Sequence, residues 1–272
     1  MPNFQTADGT TLAYEDYGTG TPIVFIAGWS LFSDMWEHQL YYFLEHGYRC
    51  VLLDRRGHGR SDRPSSGYDV DTRADDIATL LEHLDLTGAT MVAHSAGGAE
   101  AVRYLARHGE ARVDRLVLLA AAVPSLLQTE DNPLGVPKEM LDWTLNALRT
   151  DRFKWLTERA QGYFATHLGN DVSPALIENE IRRCMSVSPY ASLEVQRALM
   201  FGDHTADLEA LTVPTLIMHG PADQSVPIDP TSRRAARLIA NNVYKELPTA
   251  GHGMYVTHAA EINADIMEFM KA

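Results

Sequence analysis

A run of small residues around one serine is the part of this sequence best suited to chemistry. Ala93-His94-Ser95-Ala96-Gly97 follows a strand-like segment and precedes a helical one. The run matches the nucleophile-elbow pattern G-x-S-x-G, except that Ala93 replaces the first glycine. Such a turn exposes the serine Oγ and directs the next backbone N–H, that of Ala96, towards an anion. An ordinary strand-to-helix turn would look similar, so other residues must decide.

A serine nucleophile needs a base, and the base needs a carboxylate to orient it. Asp223 follows a strand-like segment, and His252 lies between two glycines after the next one. Taken singly, Asp223 could be a turn former and His252 a surface histidine. Their order after Ser95 and their places at successive strand ends instead predict a Ser–His–Asp catalytic triad.

The second donor to a reaction oxyanion should come from the loop that follows the first buried strand. That loop is Ala27-Gly28-Trp29-Ser30, and the backbone N–H of Trp29 is the candidate. The indole of Trp29 could also be a core aromatic, and both roles are compatible. The sequence therefore predicts an oxyanion hole formed by the amides of Trp29 and Ala96.

Short apolar runs alternate with helical patterns along most of the chain. Such runs are typical of strands buried in a parallel sheet. They lie at 23–26, 50–53, 90–92, 116–119 and 215–218, with an edge strand at 244–247 and a hairpin around Asp8-Gly9. Helical spacing of apolar residues covers 69–84, 97–107 and 261–270. The alternation predicts an α/β fold with a mostly parallel, doubly wound sheet.

One stretch breaks this alternation. Residues 124–211 contain helical patterns at 140–148, 153–164, 175–185 and 192–201 and almost no strand pattern. The strand series resumes afterwards. We therefore expect a helical cap at 124–211, inserted into a core formed by residues 1–123 and 212–272.

Composition excludes several classes of protein. The 272 residues carry 23 Lys and Arg against 36 Asp and Glu, a formal net charge of −13. An acidic protein repels phosphate backbones and anionic lipid surfaces, so we expect no nucleic-acid or membrane partner. No apolar run is long enough to span a bilayer. The expected partner is a small-molecule substrate, and the sequence is compatible with a homo-oligomer.

The remaining features point to a protein of the cytoplasm that needs no cofactor. No signal peptide is visible, and the two cysteines, Cys50 and Cys184, are expected to be free, buried thiols. Metal-ligand and nucleotide-binding motifs are missing. The charged segment 54–61 is expected to tie loops together rather than to act on substrate.

Four segments resemble the α/β-hydrolases, and among them the cofactor-free (non-haem) haloperoxidases, also described as perhydrolases and arylesterases. They are Phe25-Ile26-Ala27-Gly28-Trp29-Ser30, the Asp-x-Arg-Gly-like run 54–61, Ala93-His94-Ser95-Ala96-Gly97-Gly98-Ala99-Glu100, and His252-Gly253-Met254 with Thr257-His258 and Asn263-Ala264-Asp265. The resemblance implies the α/β-hydrolase fold, the triad Ser95, Asp223 and His252, the amides of Trp29 and Ala96, and neither metal nor haem. It also implies that peroxide can replace water and yield a peracid, which oxidises halide.

Three positions depart from the family pattern. Ala27 replaces a histidine that could hold neighbouring loops, so the oxyanion loop is expected to be less firmly held. Ala93 and Ala99 replace glycines at the elbow.

The sequence therefore predicts a serine hydrolase of small carboxylic esters or lactones, with a perhydrolase side activity. A lactamase, a carbon–carbon bond hydrolase, a hydroxynitrile lyase or a non-catalytic receptor could use the same residues.

Overall fold

The computed structural model describes residues 2–272 and contains one eight-stranded sheet. The strand order is β1-β2-β4-β3-β5-β6-β7-β8; β2 is antiparallel to both β1 and β4, and the other pairs are parallel. The strands are β1 (Asn3–Gln5), β2 (Thr11–Tyr17), β3 (Pro22–Ile26), β4 (Arg49–Leu53), β5 (Ala89–His94), β6 (Val113–Leu119), β7 (Thr215–His219) and β8 (Asn242–Glu246). The predicted α/β fold with a mostly parallel sheet is confirmed.

Helices cover both faces of the sheet, which explains why the central strands β3 and β5 are mostly apolar and are buried along almost their whole length. In β3, Val24 and Ile26 face one core, whereas Ile23 and Phe25 face the other. The helices are α1 (Glu37–Glu45), α2 (Val70–His83), α3 (Ala96–His108), α4 (Lys138–Phe164), α5 (Pro174–Ser186), α6 (Pro189–Phe201), α7 (Thr205–Glu209), α8 (Ser232–Leu238), α9 (Met254–Thr257) and α10 (Ala259–Lys271). α2 and α3 pack on the first face, and α1 and α10 on the second.

Helices α4 to α7 occupy the chain between β6 and β7, where the sequence predicts a helical insertion. Two of the predicted helices, 140–148 and 153–164, are the halves of α4, which is kinked at Asp151 (φ −153°, ψ 84°). The inserted helical segment is confirmed as part of the fold, whereas its limits at 124 and 211 stay a prediction.

The charged loop after β4 fastens neighbouring loops to one another. Asp54 Oδ1 accepts from the Ser33 N–H at 3.0 Å, and its Oδ2 accepts from the Arg60 N–H at 2.9 Å. Arg56 forms a paired hydrogen bond to Asp76, at 2.7 Å and 2.6 Å, and also contacts Asp8. These contacts are structural, as the sequence suggests.

The same loop also meets the inserted helices. The Ser188 N–H, just before α6, donates to the Gly57 carbonyl at 3.0 Å. Gly57 has a φ of +77°, and a Cβ added there would overlap the Ala191 side chain of α6. Only glycine therefore fits between the core loop and this helix.

We expect Gly57→Ala to lower the free energy of unfolding by about 2–4 kcal/mol, since it combines a left-handed backbone with overpacking. Gly47→Ala is the matched control, because Gly47 has a φ of +83° and nothing within 4 Å of an added Cβ. It should cost only the backbone penalty, about 1–2 kcal/mol. Urea unfolding of both variants measures the difference. Equal losses would mean that α6 does not pack on Gly57 in solution.

Candidate active site

Ser95 lies in the turn between β5 and α3 with a strained backbone. Its φ is 52° and its ψ is −116°, a conformation that non-glycine residues rarely adopt. The turn is tight, since a Cβ added to Gly97 would lie 2.5 Å from the Ile26 carbonyl oxygen. The Ser95 N–H donates to the Leu119 carbonyl of β6 at 3.0 Å, which ties the turn to the sheet.

The structure brings Ser95, His252 and Asp223 together into one hydrogen-bonded chain. His252 Nε2 lies 2.9 Å from Ser95 Oγ, and His252 Nδ1 lies 2.6 Å from Asp223 Oδ2. Asp223 follows β7, and His252 precedes α9. All three residues are buried. This is the order of contacts that the sequence predicts.

Asp223 accepts more hydrogen bonds than the one from His252. Its Oδ1 accepts from the N–H groups of Ser225 at 2.7 Å and Val226 at 2.9 Å. Burial alone would raise the pKa of Asp223, but the imidazoles of His252 and His219 outweigh burial and lower it below its usual value. Asp223 is therefore an ionised acceptor.

This ionised carboxylate fixes the tautomers of its neighbours. Because it can only accept, His252 Nδ1 carries a proton, and Nε2 is free to accept from the Ser95 hydroxyl. His219 Nε2 lies 3.0 Å from Asp223 Oδ2 and donates to it for the same reason. His219 Nδ1 then accepts from the Ser232 hydroxyl at 2.7 Å.

The sequence analysis missed two histidines of this site, His219 and His94. His94 Nε2 donates to the His252 carbonyl at 3.0 Å, and burial holds the pKa of His94 well below its usual value. Both residues end strands that lead to site residues, since His219 ends β7 and His94 ends β5. A histidine at the end of a predicted strand is the sequence feature that could have identified them as site residues.

The loop after β3 meets the elbow where the sequence predicts the oxyanion hole. A Cβ added to Gly28 would lie 3.5 Å from the Ser95 Cβ, so the two loops are in contact. Within residues 2–272, neither the Trp29 N–H nor the Ala96 N–H donates to an acceptor. Both amides are therefore available to a ligand.

Arg55 forms hydrogen bonds to the backbone of this oxyanion loop. Its guanidinium donates to the Gly28 carbonyl at 2.8 Å and to the Ala27 carbonyl. Glu100 Oε1 lies 3.3 Å from Arg55 Nε and also pairs with Arg73. The loop is thus anchored through its backbone although Ala27 lacks a polar side chain, while the expectation that it is less firmly held than with a histidine there stays a prediction.

Helix α6 also forms hydrogen bonds to the oxyanion loop, through Ser192. The Trp29 indole Nε1–H donates to the Ser192 carbonyl at 2.7 Å, and the hydroxyls of Ser30 and Ser192 lie 2.6 Å apart. Ser192 is buried and was not singled out in the sequence. The inserted helices therefore contact the loop that carries one predicted oxyanion donor.

A cavity of about 630 Å³ opens onto Ser95 and His252. Its wall is mainly apolar and comes largely from the inserted helices, for example Trp155, Ile181 and Leu199. This size and this lining are typical of small-molecule sites. The cavity can hold an uncharged ester with its carbonyl at the serine.

One polar network forms part of the cavity wall. The Tyr255 hydroxyl donates to Glu180 Oε2 at 3.0 Å, and the Tyr163 hydroxyl donates to that of Tyr255 at 3.2 Å. Burial raises the pKa of Glu180. Cys184 also faces the cavity, and burial raises the pKa of its thiol to about 12, so it is no nucleophile at neutral pH.

Both cysteines are free, but only Cys50 is fully buried, because Cys184 is partly exposed. In residues 2–272, no three His, Cys, Asp or Glu side chains are grouped so that they could hold a metal ion. None of the helices in this part of the chain is both long and apolar enough to cross a membrane.

Comparison with known proteins agrees with this geometry. The model of the α/β-hydrolase fold family matches residues 21–259. The chain is 42% identical to a non-heme haloperoxidase of Rhodococcus erythropolis over the full length of both chains. It is 37% identical to a bifunctional esterase/perhydrolase of Acinetobacter calcoaceticus, with 98% of each covered. An esterase of Exiguobacterium antarcticum superposes with a TM-score of 0.95 at 32% identity, with 99% of each chain covered.

The Ser30–Ser192 contact can be tested with a double-mutant cycle. Ser30→Ala and Ser192→Ala should each lower the free energy of unfolding by about 0.5–1.5 kcal/mol, because each removes the same buried hydrogen bond. The double variant should then lose less than the sum of the two single losses. Chemical denaturation of all four proteins gives the coupling energy. Strictly additive losses would contradict the contact.

Proposed function

This chain belongs to the α/β-hydrolase fold family, and we propose that it is a serine hydrolase that cleaves small carboxylic esters or lactones without metal or haem. The observation that carries the proposal is the hydrogen-bonded chain from Ser95 Oγ through His252 to Asp223, at 2.9 Å and 2.6 Å, on the floor of an apolar cavity. Two relatives, an esterase and an esterase/perhydrolase, support the same activity.

In the proposed acylation step, Ser95 Oγ attacks the carbonyl carbon of the ester. His252 Nε2 takes the serine proton, and Asp223 stabilises the resulting imidazolium while remaining ionised. The N–H groups of Trp29 and Ala96 donate to the oxyanion, an interaction worth roughly 10²–10³-fold in rate per donor in other serine hydrolases. His252 then gives the proton to the leaving alkoxide, and an acyl-Ser95 remains.

In the proposed deacylation step, His252 Nε2 takes a proton from water as the water attacks the acyl carbon. The tetrahedral intermediate collapses, the proton returns to Ser95 Oγ, and the carboxylic acid leaves. An acyl-enzyme burst is expected for substrates whose deacylation is slow.

The same acyl-enzyme accounts for the proposed perhydrolase side activity. If hydrogen peroxide attacks in place of water, the acyl group leaves as a peracid and Ser95 is restored. The peracid then transfers one oxygen to bromide, giving hypobromite and the carboxylic acid. The names of the haloperoxidase and perhydrolase relatives support this assignment.

We expect Ser95→Ala to lower the release of p-nitrophenol from p-nitrophenyl butyrate by roughly 10⁴–10⁶-fold, because the nucleophile is lost. Ser66→Ala is the matched control, since Ser66 is exposed and lies away from the cavity. Bromide oxidation in acetate buffer with peroxide should disappear in the same Ser95 variant. Equal esterase rates in both variants would exclude Ser95 as the nucleophile, and a folded wild type without turnover would favour a receptor.

The pH profile of the wild type tests the role of Asp223. Because the pKa of Asp223 is lowered, its carboxylate stays charged until the pH falls far below the pKa of an ordinary carboxylate. Asp223 should then add no protonation step to the acid side of the profile. As the pH falls, we expect log kcat/KM to decline with a slope no steeper than about 1 down to about pH 4. A slope near 2 would show that a second essential group, such as Asp223, is also protonated.

A further inference from the structure

One positive charge on the cavity wall has no negative partner. Arg159 of α4 lines the cavity, and its guanidinium carbon lies 4.6 Å from the ring centroid of Trp155 and 5.6 Å from that of Trp143. Among the residues that the structure describes, no carboxylate forms a salt bridge with it. The protein as a whole carries a net charge of −13, so carboxylates are otherwise abundant.

The other charged side chains on the same wall have counterions. Glu158 Oε1 lies 3.8 Å from Lys154 Nζ, and the Glu180 carboxylate pairs with Arg183. Glu180 also accepts from the Tyr255 hydroxyl. The charge that the cavity leaves uncompensated, over residues 2–272, is therefore that of Arg159.

Arg159 is linked to the oxyanion loop by aromatic contacts. The Trp155 ring, on which its guanidinium stacks, packs edge-on against the Trp29 ring, with centroids 5.7 Å apart. Trp29 in turn supplies a predicted oxyanion amide. The guanidinium thus shares one cavity with Ser95 and is connected to the oxyanion loop through two indole rings.

We propose that Arg159 forms an anion subsite and that the substrate class includes esters or lactones carrying a second, ionised carboxylate. Stacking on an indole ring covers the face of a guanidinium, but it leaves the N–H groups at the edge free to donate to a carboxylate. The apolar wall strengthens such an ion pair relative to one in water. This inference rests on the proposed ester hydrolysis, for which Arg159 sets specificity and performs no chemistry.

A purely structural role makes a different prediction. Trp143 and Trp155 lie on opposite sides of the kink at Asp151, so Arg159 could simply join the two halves of α4. Its loss would then affect every substrate equally.

The test compares monomethyl glutarate, which is anionic, with dimethyl glutarate, which has the same chain and no charge. We expect Arg159→Met to lower kcat/KM for the anionic half-ester about tenfold, mainly by raising KM, because one charge-assisted hydrogen-bonded contact is lost. The neutral diester should change by less than about twofold, and Arg159→Lys should recover part of the loss. Arg149→Met is the matched control, since Arg149 is an exposed arginine of the same helix outside the cavity, and it should change neither substrate.

The outcomes separate this inference from the proposed function. An equal loss on both esters, or a wild type that hydrolyses the diester but not the half-ester, would overturn the subsite and leave ester hydrolysis intact. Turnover of p-nitrophenyl butyrate without turnover of either glutarate would overturn it as well. A wild type that hydrolyses none of the three esters would overturn both proposals.

Discussion

The left-handed backbone at Ser95 is the constraint on which the rest of the site depends. Such a conformation costs on the order of 1–3 kcal/mol and persists only where the surroundings enforce it. Here the Ser95 N–H is bonded to β6, and the Ser95 carbonyl accepts from the N–H groups of Gly98 and Ala122 at 3.0 Å and 3.2 Å. The space is so small that Gly97 touches the end of β3. The turn is therefore fixed by the parallel register of three adjacent strands, which also fixes where His252 and the oxyanion loop must meet it.

Buried charge performs a second task, that of holding the loop backbone. Arg55, Glu100 and Arg73 lie in the interior, where ion pairs gain little net stability because desolvation offsets the attraction. Their value lies in geometry, since Arg55 donates to two carbonyls of the oxyanion loop and Glu100 fixes Arg55. Hydrogen bonds to carbonyls orient the peptide planes, and a peptide plane directs the N–H of Trp29. Replacing these charges with apolar residues could preserve the fold while losing that direction.

Local patterns predict those parts of the molecule that depend on local chemistry. Strands buried on both faces give apolar runs, and the residues that follow them, Asp223 and His252, reach the site because parallel strands end at one edge of the sheet. Contacts between residues that are far apart in the sequence have no such pattern. Ser192 is an ordinary residue of an amphipathic helix, and Arg55 belongs to a charged loop; nothing in either segment indicates that both would meet residues 27–30. The sequence separates the two halves of α4, because the kink at Asp151 falls where the helical spacing of apolar residues is interrupted.

The two sources of the site explain how one fold separates chemistry from selectivity. The proposed nucleophile, base, acid and anion-binding amides come from loops at strand ends, whose positions the sheet dictates. The cavity wall comes largely from α4, α5 and α6, and α4 carries the two aromatic rings next to Arg159. Residues there can change without disturbing the register that strains Ser95. Ser192 limits that freedom, because a shift of α6 would pull on Trp29 and Ser30 and so on the oxyanion loop itself. The end of α4 is limited in the same way, because the Tyr163 carbonyl accepts from the Gly253 N–H at 2.8 Å, next to His252. Substrate range can therefore vary through cavity residues of α4 and α5 that lie away from these contacts.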